Sequence, residues 1–296
     1  MSKDEIVIAD ALQGQVRIHA AVTTAMVEEA REVHDCWPTS CAALGRTMTV
    51  GALMASDLKD PREHVSISIN GQGPAGRISV QADGAGNVRG YINEPHVYLK
   101  REDGHLDVGK AVGTNGVLTV SRDMGLKEPF TGVVPLQTGE IGDDFAYYYA
   151  VSEQTNSCVA VGVLIGTDLR VADAGGLVIQ LLPDATEETI EAVEAAVKVM
   201  KPMTQYMEEG KSCEDVIHLL FPDAVILGHK DVRWHCDCSR EYFMDGMAAL
   251  HAEDLQAMID EDHGAEIVCQ YCGKKYQLSE DDLRSILENK KRAAHR

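Results

Sequence analysis

Hydrophobic and polar positions alternate in short runs through the first part of the chain. Val16, Ile18, Ala20 and Val22 fall on one side of an extended segment, as do Val65, Ile67 and Ile69, then Ile78, Val80 and Ala82. A period of two places such residues on one face of a strand. The Gly84–Asn87 cluster turns the chain toward Val88–Ile92, and short alternating runs joined by glycine-containing turns predict antiparallel pairing. Further strands are expected at Val117–Val120, Phe130–Leu136, Cys158–Ile165 and Leu177–Leu182. Two stretches break the alternation. Thr39–Leu58 is rich in small residues (Ala42, Ala43, Gly45, Gly51, Ala52, Ala55) and suits a helix packed closely on a sheet; Asp143–Ser152 reads as another helix. Strands and helices mix without a regular β-α-β repeat, so the expected class is α+β, with an antiparallel sheet in the N-terminal core.

From Asp184 the pattern becomes helical and acidic. Glu187, Glu188 and Glu191 occupy a first turn, where carboxylates complement the helix dipole. Ile190, Val193, Val197 and Met200 then form an apolar stripe that Pro202 ends. A second piece around Met203–Glu209 stops at Gly210, and a third begins at Ser212 and stops before Pro222. Short helices of this kind are marginal alone and must rest on something else. Beyond them, Ser239–Leu250 and Ala252–Asp260 read as helices and Glu266–Leu278 as a hairpin. Ser279–Asn289 reads as a final helix capped by Ser279 with Asp282. The expected organisation is therefore a core domain over residues 1–183, a helical linker over 184–230 and a small unit over 231–296.

At 296 residues the chain can hold one sizeable core plus smaller units. The net charge of −20 opposes binding to nucleic acid, which relies on Lys and Arg displacing counterions. Residues 231–296 are acidic too, with 14 Asp and Glu against 9 Lys and Arg, a balance of −5. The N-terminal MSKDEIVIAD lacks the basic-then-apolar pattern of a secretory signal, and the apolar run around Val159–Ile165 is far too short to span a bilayer. The expectation is a cytoplasmic protein with no membrane partner. Thiols stay reduced in that compartment, so eight cysteines point to metal ligands, redox sensors or buried thiols.

Four of them have a telling spacing: Cys236-Asp237-Cys238, thirty residues, then Cys269-Gln270-Tyr271-Cys272. Two close pairs separated by a small fold deliver four sulfurs to one tetrahedral ion, with zinc the expected metal. Gly273 follows the second pair and allows its backbone to bend toward the metal. Four thiolates close the shell, which argues against zinc hydrolase chemistry. His235 and His263 are the nearby alternatives as ligands. A unit of this size has a small core, so its folding depends on the metal, and thiolates are the form that oxidants attack. A structural zinc is the default for four cysteines, and the residues also permit a redox switch.

The chain resembles the thirty-three-kilodalton heat-shock family of redox-regulated bacterial holdases. The resemblance is carried by WPTSCAALGRTM from Trp37, VGKAVGTNG from Val108, FTGVVPLQTGEIGDDFAYY from Phe130, SEQ at Ser152–Gln154, and AGGLVIQLLP at Ala174–Pro183. HCDCSREYF and VCQYCGKKY, with Tyr271 where Phe is common, complete it. The resemblance implies a chaperone rather than an enzyme: an inactive reduced monomer holding one zinc on Cys236, Cys238, Cys269 and Cys272. Oxidation by peroxide with heat, or by hypochlorous acid, then forms Cys236–Cys238 and Cys269–Cys272 disulfides, with loss of zinc and unfolding of the redox unit and linker. The active form, usually a homodimer, binds unfolding client proteins without ATP.

Other features read as bland. Gly71-Gln72-Gly73-Pro74-Ala75-Gly76 spells a dinucleotide fingerprint, but Pro74 lacks an N–H and a strand is expected next, so it reads as a turn. Cys36, Cys41, Cys158 and Cys213 read as buried or incidental thiols, although Cys213 is near a helix start, which could lower its pKa. Lys290–Arg292 reads as a solvated tail. The rivals to the chaperone are a zinc-ribbon regulatory or interaction protein and a thiol-disulfide oxidoreductase. The latter lacks a thioredoxin-like βαβ context before Cys269.

Overall fold

In the computed structural model, which describes residues 3–294, the alternating runs form antiparallel sheets. The first unit, ending at His235, contains β1 (Glu5–Ala11), β2 (Val16–Val22), α1 (Thr24–His34), α2 (Pro38–Ala55), β3 (His64–Asn70), β4 (Ile78–Asp83), β5 (Asn87–Ile92), α3 (Val108–Val112), β6 (Val117–Asp123) and β7 (Phe130–Pro135). It continues through α4 (Gly142–Ser152), β8 (Ser157–Ile165), β9 (Val171–Leu181), α5 (Glu187–Val199), α6 (Met203–Glu208), α7 (Cys213–Leu220), β10 (Val225–Asp231) and β11 (Arg233–Trp234). One sheet has the order β10-β1-β2-β9-β8; the other has β11-β5-β4-β3-β6-β7. All pairings in both are antiparallel except the short β11–β5 contact.

Helix α2 lies between the two sheets, where one supporting sheet was expected. Every residue of it except Pro38 and Arg46 is buried. Its glycines explain how. A β-carbon on Gly45 would come within 2.9 Å of the Val163 side chain in β8, and one on Gly51 within 3.1 Å of Val80 in β4. Small residues on opposite faces thus let the helix backbone approach both sheets and fill the core closely. Its buried hydroxyls are all satisfied: Thr47 and Thr49 donate within the helix to the carbonyls of Ala43 and Gly45, at 2.8 and 2.9 Å, while Thr39 and Ser40 donate to the carbonyls of Leu99 and Glu94, at 2.9 and 2.7 Å.

The outer face of the five-stranded sheet is covered by α5, α6 and α7. Val193, Met203, Tyr206, Val216, Ile217 and Phe221 close over Val7, Ala9, Val16, Ile18, Ala20 and Leu177. Thr186 caps α5 by accepting from the Thr189 amide at 3.3 Å, and Ser212 with Asp215 forms a capping box on α7. The segment 184–230 thus holds three helices, but it closes with β10, paired to β1. Helical character was expected there; Val225–Asp231 is instead drawn into the sheet edge after Pro222.

The core motifs prove to be scaffolding. Buried Asp144 accepts from the amides of Gln137, Thr138 and Ile141 at 2.6, 3.1 and 3.1 Å, which satisfies its carboxylate. Gly71–Gly76 is a turn leading into β4, as expected, and it clasps the C-terminal end of α3. Gly73 and Ala75 donate to the carbonyls of Val112 and Ala111, and a β-carbon on Gly71 would meet the Gly113 carbonyl at 2.1 Å.

The second unit begins at Cys236 and comprises α8 (Arg240–Met247), α9 (Ala252–Ala257), β12 (Gly264–Val268), β13 (Lys275–Ser279) and α10 (Glu280–Ala294). The hairpin and the Ser279–Asp282 cap stand where the sequence predicts them. Its core is small: Leu255, Ile259, Leu278, Leu283, Ile286 and Leu287. In the Lys290–Arg292 cluster, Lys290 donates to the Ala248 carbonyl at 2.9 Å and Arg292 lies 3.7 Å from Glu288; the side chain at position 291 lies outside the described residues.

Candidate metal centre

Two loops carry the four cysteines of the second unit. Cys236 and Cys238 precede α8, whose Ser239 accepts from the Tyr242 amide at 3.1 Å and so sets the helix start directly after the pair. Cys269 and Cys272 occupy the β12–β13 turn. There the Cys269 amide donates to the Lys274 carbonyl at 2.9 Å and the Gly273 amide donates to the Cys269 carbonyl at 2.8 Å. Gly273 has φ +70°, a left-handed conformation that glycine adopts without strain. The turn therefore aims both sulfurs inward.

All four Sγ atoms lie within 4.8 Å of one another. Cys236 is 3.8 Å from Cys269, and Cys238 is 3.3 Å from Cys272. A tetrahedron of Zn–S bonds of about 2.3 Å has edges of about 3.8 Å, so the cluster has the dimensions of a four-thiolate site. It includes no histidine or carboxylate among the described residues. His263 is instead exposed, 3.6 Å from Glu280, and His235 is exposed with its amide bonded to Val88.

The electrostatics fit a cation. Burial pushes the Cys269 and Cys272 thiols up. Burial acts on Cys238 in the same direction, but hydrogen bonds from Tyr276 and the other thiols outweigh it and hold Cys238 below the usual thiol range. Four thiols with one favoured thiolate need a positive charge at their centre before all can ionise. The donor set suits zinc: four soft sulfurs in a closed shell, with no open coordination position for catalysis.

Tyr276 is the residue that spacing did not reveal. Its hydroxyl donates to the Cys238 carbonyl at 2.7 Å and lies 3.2 Å from Cys238 Sγ. Phe243 of α8 stands against its ring, with centroids 5.2 Å apart. The signal was the tyrosine four residues after Cys272, inside VCQYCGKKY. Arg240 of α8 also pairs with Asp282 of α10, tying the first cysteine loop to the last helix.

The remaining four cysteines lie elsewhere, in the first unit. Burial raises the thiols of Cys36, Cys41 and Cys158, that of Cys36 to about 12. Cys213 is buried as well, as expected. It does begin α7, but burial pushes its thiol up to about 12 and overrides any help from the helix terminus.

A family model described as Hsp33 protein matches residues 4–279. A 33 kDa chaperonin of Staphylococcus carnosus is 46% identical over 291 residues, covering 97% of this chain and 99% of that protein. One from Staphylococcus epidermidis is 42% identical over 294 residues, covering 98% and 100%. The crystal structure of the 33 kDa chaperonin, a heat shock protein 33 homolog, of Thermotoga maritima superposes with a TM-score of 0.87 at 33% identity, over 98% of this chain and 100% of that one.

Proposed function

The chain belongs to the Hsp33 family of chaperones, and from that premise we propose that it is an ATP-independent holdase switched by oxidation of Cys236, Cys238, Cys269 and Cys272. The carrying observation is the closed cluster of four sulfurs in a unit whose fully buried core is six residues. In the reduced state the four thiolates would hold one zinc ion. Bound there, zinc would cross-link the two cysteine loops and supply much of the folding free energy, about 10–16 kcal/mol in small zinc modules.

Oxidation consumes the donors. For each disulfide, two thiolates lose two electrons as the S–S bond forms, and one hydrogen peroxide takes up these electrons and two protons from solvent to become two waters. We assign the pairs Cys236–Cys238 and Cys269–Cys272, following the family resemblance. All four sulfurs lie close enough for other pairings, but sequence neighbours close the shortest loops and stay together once the unit loosens. The segment 184–230 then opens with it. Short α6 and α7 cannot persist alone, and their departure would bare the outer face of the five-stranded sheet, around Ile18, Ala20 and Leu177, as a capture surface for unfolding clients. The oxidised holdase acts as a homodimer in the cytoplasm; among the described residues no helix is long and apolar enough to cross a membrane.

The test is light scattering from a heat-unfolding client, comparing reduced zinc-loaded protein with protein oxidised and desalted. Suppression by the oxidised form alone, reversed by a thiol reductant, supports the switch. Equal suppression in both states, or none, would leave the zinc purely structural and the chain a regulatory or interaction protein.

A further inference from the structure

At one edge of the five-stranded sheet, β8 runs nine residues, SCVAVGVLI, without a charge or a proline. Natural edges are usually blunted by such residues, because a bare edge templates pairing with another chain. The directions of its backbone groups can be read from two neighbours. A β-carbon on Gly142 would meet the Val159 carbonyl at 2.9 Å, whereas one on Gly176 of β9 would meet the Ala160 carbonyl at 3.1 Å. Ala160 thus faces β9 and Val159 faces outward, and strand alternation turns Val161 and Val163 outward as well. Among the described residues, no hydrogen bond to the backbone of 157–165 comes from outside the β9 ladder.

α4 stands against the Val159 carbonyl at Gly142, and open space runs along the rest of the strand. Two cavities of about 690 and 230 Å³ share Arg46 and Glu140, and between them follow β8 from Val159 to Ile165. Pro202 and Met203, at the start of α6, line the smaller one. The larger is lined by Ile165 together with Lys100 and Arg101, a mainly cationic mouth that also holds the Asp103 carboxylate. Glu140 binds Arg46 and Arg101. Lys100 rests only over the Tyr98 ring, 5.2 Å from its centroid, with no carboxylate partner among the described residues. In a chain of net charge −20, that free ammonium is a local exception.

We propose that this edge binds client chains by strand addition: an extended segment, uncharged and apolar over about four positions, pairs with the outward groups of Val161 and Val163 and sets a carboxylate at Lys100. Main-chain bonds supply affinity for any sequence, as a holdase needs, and the groove and Lys100 supply the preference. A second copy of the chain fits less well. Antiparallel self-pairing of β8 would bring Ser157 of the partner subunit to the cationic mouth, and two chains of this charge repel. The inference rests on the chaperone reading.

The probe is a fluorescent heptapeptide with an aspartate at each end and alternating valine and threonine between. Its twin is N-methylated on alternate amides. Anisotropy titrations use the full chain, reduced and oxidised. The expected result is at least tenfold weaker binding of the methylated twin in the tighter-binding form. Lys100→Glu, on an exposed residue, and Val161→Pro, which removes an outward N–H and spares the β9 ladder, should each weaken the parent peptide about tenfold. Equal binding of both peptides, no binding in either form, or unchanged binding by both variants would overturn strand addition. Loss of dimer by Val161→Pro with peptide binding intact would give the edge to a second copy and overturn it too. Holdase activity without edge-dependent peptide binding sinks only this proposal. Edge-dependent binding without holdase activity sinks only the chaperone reading.

Discussion

Thr204 of α6 lies directly over Gly162 of β8, its methyl 3.1 Å from the position a β-carbon on that glycine would take. Met203 and Met207 approach Gly175 of β9 in the same way, at 3.4 and 3.0 Å. A strip of two paired glycines is thus the seat on which the middle one of the three outer helices rests.

Gly162→Val should lift α6 from that seat. Overpacking of this kind costs about 1–3 kcal/mol, enough to open a six-residue helix while the inner core persists. Limited proteolysis should show cleavage between Asp184 and Lys230 in the reduced variant, together with client binding that needs no oxidant. A linker as protected as the parent's would count against this seat.

Removing one sulfur should dismantle the second unit selectively. Cys236→Ser takes away one of four thiolates, and metal retention against a chromophoric chelator should fall at least a hundredfold, about 2.7 kcal/mol. Circular dichroism should lose the helicity of α8–α10, while the first unit keeps its cooperative melting. Chelation of the parent should give the same spectrum.

Tyr276→Phe removes the hydroxyl that serves the Cys238 carbonyl and sulfur but keeps the ring against Phe243. A hydrogen bond of this kind contributes about 0.5–1.5 kcal/mol. Metal transfer to a chelator and peroxide-driven metal release should both quicken two- to tenfold, by about 0.4–1.4 kcal/mol. Unchanged rates would reduce Tyr276 to a packing residue.

His19 should give the first unit an acid-sensitive stability. Burial holds its imidazole below the ordinary range, despite the opposing charge of Asp57, 3.4 Å away. The unfolded chain therefore binds the proton more readily. Stability contributed by neutral His19 is present above the unfolded value of about 6.5 and is lost as pH falls below it toward the folded value. Urea midpoints should drop between about pH 7 and 5, with a limiting slope of about 1.4 kcal/mol per pH unit for one proton. His19→Gln should flatten that slope; an equally steep fall in the variant would place the sensitivity elsewhere.

The strands with one polar face were legible because their alternation survives in the sequence: β3 and β4 repeat buried and half-buried positions residue by residue. Strand β1 was missed because it carries no such signature. Val7 and Ala9 face the outer helices while Ile6 faces the inner core, so both faces are apolar. Helix α1 escaped for want of punctuation. Thr23 makes no side-chain cap bond, and its left-handed end is Asp35, not a glycine. α3 is a single turn capped by Asp107, and β10 follows helices closely enough to be absorbed into their pattern. The candidate site was readable as four cysteines, because their spacing already pairs them, and the structure brings the four sulfurs together. Tyr276 was not, because its role depends on where the hairpin returns the chain.

Helix α2 has a further consequence. Held from both sides by the two sheets, it does not rely on the outer helices for its burial. If the outer layer departs as proposed, the inner layers can therefore remain assembled, and the glycine strip would keep its shape while vacant. Restoring the thiols would return α6 to a surface that never lost its template, making the device resettable through many cycles of stress rather than spent in one.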